Sequence, residues 1–175
     1  MSSAVGKRYA RALFDVASER GKIDQVEADL GAIVQAVEQN ADLSKIMHHP
    51  HIAADAKIKL VDELFKSHVG EESFNFLRVL IENGREAELA AIYSSFVKLA
   101  NDARGIADAI VTSAKPLTSE EQAELAEKFG QTLNKKLRLM AVVDPAILGG
   151  IVIKIGDRLY DGSLKTKLET FAHQA

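Results

Sequence analysis

Over the first hundred residues the apolar positions recur every three or four places. Val5, Tyr9, Ala12, Leu13 and Val16 stand at i, i+4, i+7, i+8 and i+11, one face of a 3.6-residue period. Gly21 closes this first helix as a C-terminal glycine. Asp24 is placed to cap a second helix, with Val26, Leu30, Ile33, Val34 and Val37 inward. A short third helix takes Leu43, Ile46 and Met47 and stops at Pro50. A fourth carries Ile58, Leu60, Val61, Leu64 and Phe65 and is broken by Gly70. A fifth runs from about Glu71 to Glu82 and ends at Asn83-Gly84. A sixth holds Leu89, Ile92, Tyr93, Phe96, Val97 and Leu99, up to about Asp102. Short loops and no strand signal predict an N-terminal all-α six-helix bundle over residues 1–105.

The period changes near Gly105. Ile106–Thr112 alternates in part and is rich in β-branched residues, which predicts a strand ended by Pro116. Thr118-Ser119-Glu120-Glu121 is a capping box that opens a helix to about Lys135. Leu137, Leu139, Ala141 and Val143 alternate with Arg138, Met140, Val142 and Asp144 as a second strand. Ile151, Ile153 and Ile155 alternate with Val152 and Lys154 as a third. Gly156-Asp157 has the form of a tight hairpin turn returning along Arg158–Asp161. After Asp161-Gly162, Ser163 is placed to cap a last helix with Leu164, Leu168, Phe171 and Ala172 on one face. Residues 106–175 therefore predict a small α+β C-terminal domain, about 70 residues long and marginal by itself.

Composition narrows the function. The 175 residues are 47% hydrophobic and 27% charged, the balance of a folded globular chain. No apolar run reaches the roughly 18–20 residues needed to cross a bilayer, and Met1–Gly6 has neither the basic nor the apolar part of a signal peptide. There are no cysteines, which removes disulfides, thiolate metal sites and cysteine nucleophiles together. The net charge of −3, the absence of Trp and the 6% aromatic content argue against nucleic-acid binding. Residues 1–105 carry the whole net charge of −3, and residues 106–175 balance to zero.

The usual catalytic constellations are missing. His48, His49 and His51 cluster around Pro50, and His51 with Asp55 has ligand spacing, but two ligands do not make a site; the cluster reads as a polar helix end. The run from Gly149 to Gly156 has a superficial likeness to a phosphate loop. It lacks Gly-Lys-Ser/Thr and Gly-x-Gly-x-x-Gly and precedes a strand, so it reads as a turn or bulge feeding a hairpin. Glu71-Glu72 and Glu120-Glu121 read as helix-start acids complementing the macrodipole. No Gly-x-Ser-x-Gly is present.

Two helices are more apolar than a single core stripe requires. The fifth reads Phe74-Asn75-Phe76-Leu77-Arg78-Val79-Leu80-Ile81. The first has Val5, Tyr9, Leu13 and Val16 on one side and Ala10, Phe14 and Ala17 on another. Such excess means either a central place in the core or a groove for another protein's helix.

Three stretches resemble one family. Arg8-Tyr9-Ala10-Arg11-Ala12-Leu13-Phe14-Asp15-Val16-Ala17 resembles the opening helix of the delta subunit of F-type ATP synthase, the family of the mitochondrial oligomycin-sensitivity-conferring protein. Leu80-Ile81-Glu82-Asn83-Gly84-Arg85 resembles the end of that family's fifth helix. Residues 143–157, from Val143-Asp144-Pro145 through Gly149-Gly150 to Gly156-Asp157, with Asp161-Gly162-Ser163, are similar to its C-terminal signature. The glycine pair and alternating isoleucines of this last stretch also have a purely structural reading. The resemblance covers essentially the whole chain.

The resemblance implies a non-catalytic stator, without a cofactor, that joins the catalytic head to the peripheral stalk against rotor torque. It implies that the N-terminal bundle receives the N-terminal helix of an alpha subunit, and that the C-terminal domain meets the stalk b subunits. One copy per complex is expected, peripheral to the cytoplasmic face of a bacterial inner membrane, with no direct insertion and no nucleic acid. The groove candidates are Tyr9, Leu13 and Val16 with Phe74, Leu77, Val79 and Ile81; core-facing and partner-facing members look alike in sequence. The stalk candidates are Gly149, Gly150, Leu164, Leu168 and Phe171. Without the resemblance, two other classes stay open. One is a helical adaptor that takes an amphipathic peptide outside any synthase. The other is a small enzyme, which predicts a deep polar pocket with perturbed titratable groups.

Overall fold

The computed structural model describes residues 3–147 and 150–160. The chain divides into two compact units, the first ending at Ala100 and the second beginning at Asn101. The first is all-α and the second is α+β.

The first unit contains α1 (Ala4–Glu19), α2 (Ile23–Gln39), α3 (Ala41–His48), α4 (Ala54–Phe65), α5 (Glu71–Glu82) and α6 (Leu89–Ala103), with a 3₁₀ turn at Glu86–Glu88 that the periodicity did not predict. Ser3 caps α1 by accepting from the Gly6 N–H at 2.9 Å. α1 and α5 end alike. Gly21 and Gly84 take φ of +65° and +62°, and the N–H groups of Lys22 and Arg85 donate back to Ala17 and Leu80 at 2.8 Å. This doubly bonded reversal needs a residue without a Cβ at its left-handed position.

Two boundaries differ from the sequence reading. α2 starts at Ile23, so Asp24 sits in its first turn rather than capping it. The turn at Gly21 runs straight into the helix and leaves no extended residue there to act as a cap. α4 stops at Phe65, well before Gly70, because the Phe65 carbonyl accepts from both His68 and Val69 in a tightened turn. The core of this unit runs through Leu13, Leu30, Ile33, Met47, Val61, Leu77, Leu80, Ile92 and Phe96.

The second unit holds β1 (Ile106–Ser113), α7 (Ser119–Leu133), β2 (Lys136–Val143), β3 (Ile151–Ile155) and β4 (Arg158–Tyr160). The sheet order is β2-β1-β3-β4. β1 and β2 are parallel, bridged by α7, and the β1–β3 and β3–β4 pairs are antiparallel. The capping box is formed: the Glu121 N–H donates to Thr118 Oγ1 at 3.2 Å, and the Thr118 N–H donates to Glu121 Oε2 at 2.8 Å. Asn134 ends α7 in the left-handed region at φ 51°. A small core forms from Ala109, Val111, Phe129, Leu137 and Ile153, with Phe129 edge-on to Tyr160 at 5.6 Å.

The contact boundary falls inside the last turn of α6, ahead of Gly105. Side chains there already bond into the second unit. Asn101 donates to Asp108 at 3.4 Å, and Lys135 pairs with Asp102 at 3.1 Å.

Candidate functional site

α1 turns a different face inward from the one its bulky residues suggest. Its buried line is Gly6, Ala10, Leu13 and Ala17. Small residues let a helix approach its neighbours closely, and the larger stripe is then rotated outward. Val5 and Tyr9 are half-buried, and Ala12 and Val16 are exposed, Val16 at 41%. On α5 the broad apolar surface is mostly core: Phe74, Leu77, Leu80 and Ile81 are buried. Phe76 is half-buried, and Val79 is 42% exposed. The two helices meet where the Tyr9 and Phe76 rings pack edge-on at 6.3 Å. On its other side α1 is held to α6 by Phe14 against Phe96 at 5.9 Å.

The seven groove candidates therefore divide. Leu13, Phe74, Leu77 and Ile81 lie in the core, Tyr9 lies at the α1–α5 seam, and Val16 and Val79 face outward. The excess apolar surface of α5 is chiefly core, whereas that of α1 is left partly open.

Charged groups the sequence reading passed over hold this frame. Glu72 is more than a helix-start acid. Its side chain is buried at the start of α5 and accepts from Arg20 Nη1 at 2.8 Å and Lys22 Nζ at 3.0 Å, which ties the α1–α2 turn to α5. The hydrogen bonds from Arg20, then from Lys22 and from its own backbone N–H, lower its pKa to about 2 against the cost of burial. The same partnership raises the Arg20 value. Asp29 of α2 holds the same end of α5: its Oδ2 accepts from the Gly70 N–H at 2.9 Å and from Ser73 Oγ at 2.8 Å. Gly70, the residue before the helix, has no side chain with which to cap it.

Lys57 and Glu86 form a buried ion pair between α4 and the 3₁₀ turn. The second oxygen, Glu86 Oε2, is buried without a hydrogen-bond partner. A signal for this pair was present. Lys57, Val61 and Phe65 fall at i, i+4 and i+8, so the stripe that α4 buries begins with a lysine, which requires an acid opposite.

The other candidates carry little chemistry. His48 Nδ1 bonds to the Ser44 carbonyl at 2.7 Å, the His51 N–H donates to His49 Nδ1 at 3.3 Å, and the His49 and His51 rings pack edge-on at 5.8 Å. Among the described residues no group of three or more His, Cys, Asp or Glu is placed to hold a metal. An open cleft of about 390 Å³ between α7 and the start of β2 is lined by Ala126, Glu127, Gly130, Gln131, Lys135, Lys136 and Leu137. It is shallow, not the deep polar pocket an enzyme reading predicts. Gly150 is exposed at φ +98°, ahead of β3. The remaining stalk candidates, Gly149, Leu164, Leu168 and Phe171, lie outside the described residues. Among the described residues no helix is long and apolar enough to cross a membrane.

Known proteins resemble this chain over its length. Residues 5–174 match the family model for the ATP synthase delta (OSCP) subunit. The ATP synthase subunit delta of Brevibacillus brevis is 83% identical over 175 residues, covering all of both chains. That of Alkalihalophilus pseudofirmus is 38% identical over 99% of this chain and 96% of its own. A chain in the cryo-EM structure of the Toxoplasma gondii mitochondrial ATP synthase hexamer matches with a TM-score of 0.65 at 22% identity, over 98% of this chain and 97% of that one; this likeness speaks for the fold.

Proposed function

This chain belongs to the ATP synthase delta (OSCP) subunit family, and on that premise we propose that it works as the connector between the catalytic head and the peripheral stalk of an F-type ATP synthase. It is a non-catalytic subunit. It resists rotor torque while proton flow drives ATP synthesis. The first unit receives the amphipathic N-terminal helix of an alpha subunit, and the second meets the b subunits of the stalk. One copy serves each complex, at the cytoplasmic face of a bacterial inner membrane.

The observation that carries the reading is the half-open seam between α1 and α5. Tyr9 and Phe76 form its floor, and Val16 and Val79 stand exposed on the two helices that border it. A partner helix takes apolar anchors at i, i+3 or i+4, and i+7, and a strip of this kind suits it. Leu13, Phe74, Leu77 and Ile81 act from below, by fixing how the two helices pack. For the stalk, Gly149, Gly150, Leu164, Leu168 and Phe171 remain the candidates. Two sites on one chain raise the effective concentration of each partner for the other, which suits a link under load.

The test is titration calorimetry of the full chain with a peptide of the alpha subunit's N-terminal helix, repeated with Val16→Asp and Val79→Asp. These positions are exposed, so the charge falls on the contact and not in the core. Tight 1:1 binding that weakens at least about 30-fold in either variant, with circular dichroism unchanged, is the expected result. Unchanged affinity in both folded variants would move the contact away from this seam.

A further inference from the structure

β2 is an edge of the described sheet, paired on one side only, with β1. The pairing runs without a bulge from Lys136 opposite Ile106 to Val143 opposite Ser113. The N–H groups of Lys136 and, just past the strand, Asp144 donate inward to the carbonyls of Gly105 and Ser113 at 2.8 and 2.9 Å. A parallel ladder uses alternate residues, so the even-numbered residues of β2 bond to β1. Leu137, Leu139, Ala141 and Val143 aim their N–H and C=O groups the other way, where no described strand meets them. Sheet edges are ordinarily blunted by a proline, a bulge or a charge. Leu139-Met140-Ala141-Val142-Val143 has none of these. Met140, Val142 and Val143 are 64%, 41% and 47% exposed, and Ala141 is exposed as well.

We propose that in the free chain this edge pairs with β2 of a second copy, antiparallel about a two-fold axis at Met140. The strand is complementary to itself in that register. Leu137 faces the second copy's Val143 and Leu139 faces its Ala141, so every outward group finds a partner, in about eight backbone hydrogen bonds. Lys136 faces Asp144 of the second copy, which sets opposite charges together at both ends of the ribbon; both residues are exposed. Sliding the axis by one residue, to Leu139 or Ala141, loses this match. Asp144 then faces Asn134 or Arg138, and Arg138 is already held by Asp108 at 2.7 and 3.1 Å. Shape agrees with charge. Cross-strand neighbours share a sheet face, so the second copy's exposed Val143 stands beside Leu137 on the α7 side. The open cleft of about 390 Å³ lies there, lined by Ala126, Gly130 and Leu137 among others. Each copy thus offers one cleft and one valine, and the contact closes on itself without growing into a filament. A strand pair buries less than the roughly 800 Å² per partner of a standard interface, which places dissociation in the micromolar range. Such a dimer hides the edge in the free chain and still releases the single copy that the connector role takes.

The test uses the full chain with no other subunit present; its failure would leave the connector reading, which the peptide titration addresses, untouched. Sedimentation equilibrium from about 1 to 200 μM is expected to show a monomer passing into a dimer and no larger species. Ala141→Pro removes an outward N–H and no bond to β1, so it is expected to weaken the dimer at least about 30-fold, with circular dichroism and thermal unfolding of the monomer unchanged. Lys136→Glu is expected to weaken it about tenfold, and adding Asp144→Lys to restore it. This charge exchange keeps the test decisive should Ala141→Pro fail to fold. The chain has no cysteine, so introduced thiols meet no background. Met140→Cys places two thiols directly opposite, on Cα atoms about 4.5 Å apart, and is expected to oxidise readily to a covalent dimer. Val142→Cys, on the same strand and face, sets them roughly 14 Å apart and is expected to cross-link at least about tenfold more slowly. A monomer throughout the concentration range would overturn the proposal. So would a dimer indifferent to Ala141→Pro, or cross-linking through Val142→Cys as fast as through Met140→Cys.

Discussion

The carboxylate of Glu72 is buried beside two cations, and its charge is part of the fold. Its folded pKa of about 2 lies below the ordinary value of about 4.3. The unfolded chain therefore takes up its proton first as pH falls, so the stabilisation is complete above about pH 5 and is lost as pH drops toward 2. Urea titrations at pH 6 and pH 3 are expected to show a smaller difference between the wild type and Glu72→Gln at the lower pH; an equal difference would count against the clamp. Lys57 and Glu86 pose the opposite problem, because both are buried and Glu86 Oε2 has no partner. Lys57→Ala leaves a buried carboxylate unpaired and is expected to cost about 3–5 kcal/mol in urea unfolding. Lys57→Met with Glu86→Leu removes both charges and is expected to recover most of that loss. Leu77, the residue most central to α5 by sequence, is fully buried. A charge there would test the core and not the interface, so Val79 carries the interface test.

α5 is positioned entirely by its ends and its neighbours. Asp29 holds its first turn, Glu72 ties it to the α1–α2 turn, and Gly84 reverses the chain behind it. Gly84→Ala keeps every contact but puts a Cβ at φ +62°, at an expected cost of about 1–2 kcal/mol by thermal or urea unfolding. The α1–α5 seam should then loosen, which would appear as faster hydrogen exchange at the start of α6 before global unfolding. Most of these elements were legible from the period of apolar residues and from Gly, Pro and capping signals. The cap of α5 was not, because Asp29 lies 41 residues before Gly70 and no local rule joins them. The inward face of α1 was not legible either. Two stripes, Val5-Tyr9-Ala12-Val16 and Gly6-Ala10-Leu13-Ala17, have helical spacing, and spacing by itself does not say which one packs inward.

Each unit has its own hydrophobic core, Leu30 to Phe96 in the first and Val111 to Ile153 in the second. On the proposed function each unit binds its own partner. Residues 1–105 expressed alone are expected to unfold cooperatively and to bind the alpha-subunit peptide within about threefold of the full chain, close to 0.6 kcal/mol. A folded fragment that fails to bind, where the full chain succeeds, would overturn independent binding by the first unit.

The pattern of residues determined the kinds of element, their order, the change of class near Gly105, and a family resemblance. Those depend on local chemistry: apolar spacing, glycine at left-handed turns, a threonine–glutamate box, and runs of β-branched residues. Tertiary structure alone decided which apolar residues are interior and which are exposed. Val16 and Leu13 are equally apolar and three positions apart, yet one is exposed and the other buried. The difference comes from how closely α1 approaches its neighbours through Gly6, Ala10 and Ala17, a property of packed surfaces and not of any one segment. The charged pairs Lys57–Glu86 and Arg20–Glu72 belong to the same class, because their partners lie 29 and 52 residues apart and meet only when the helices do.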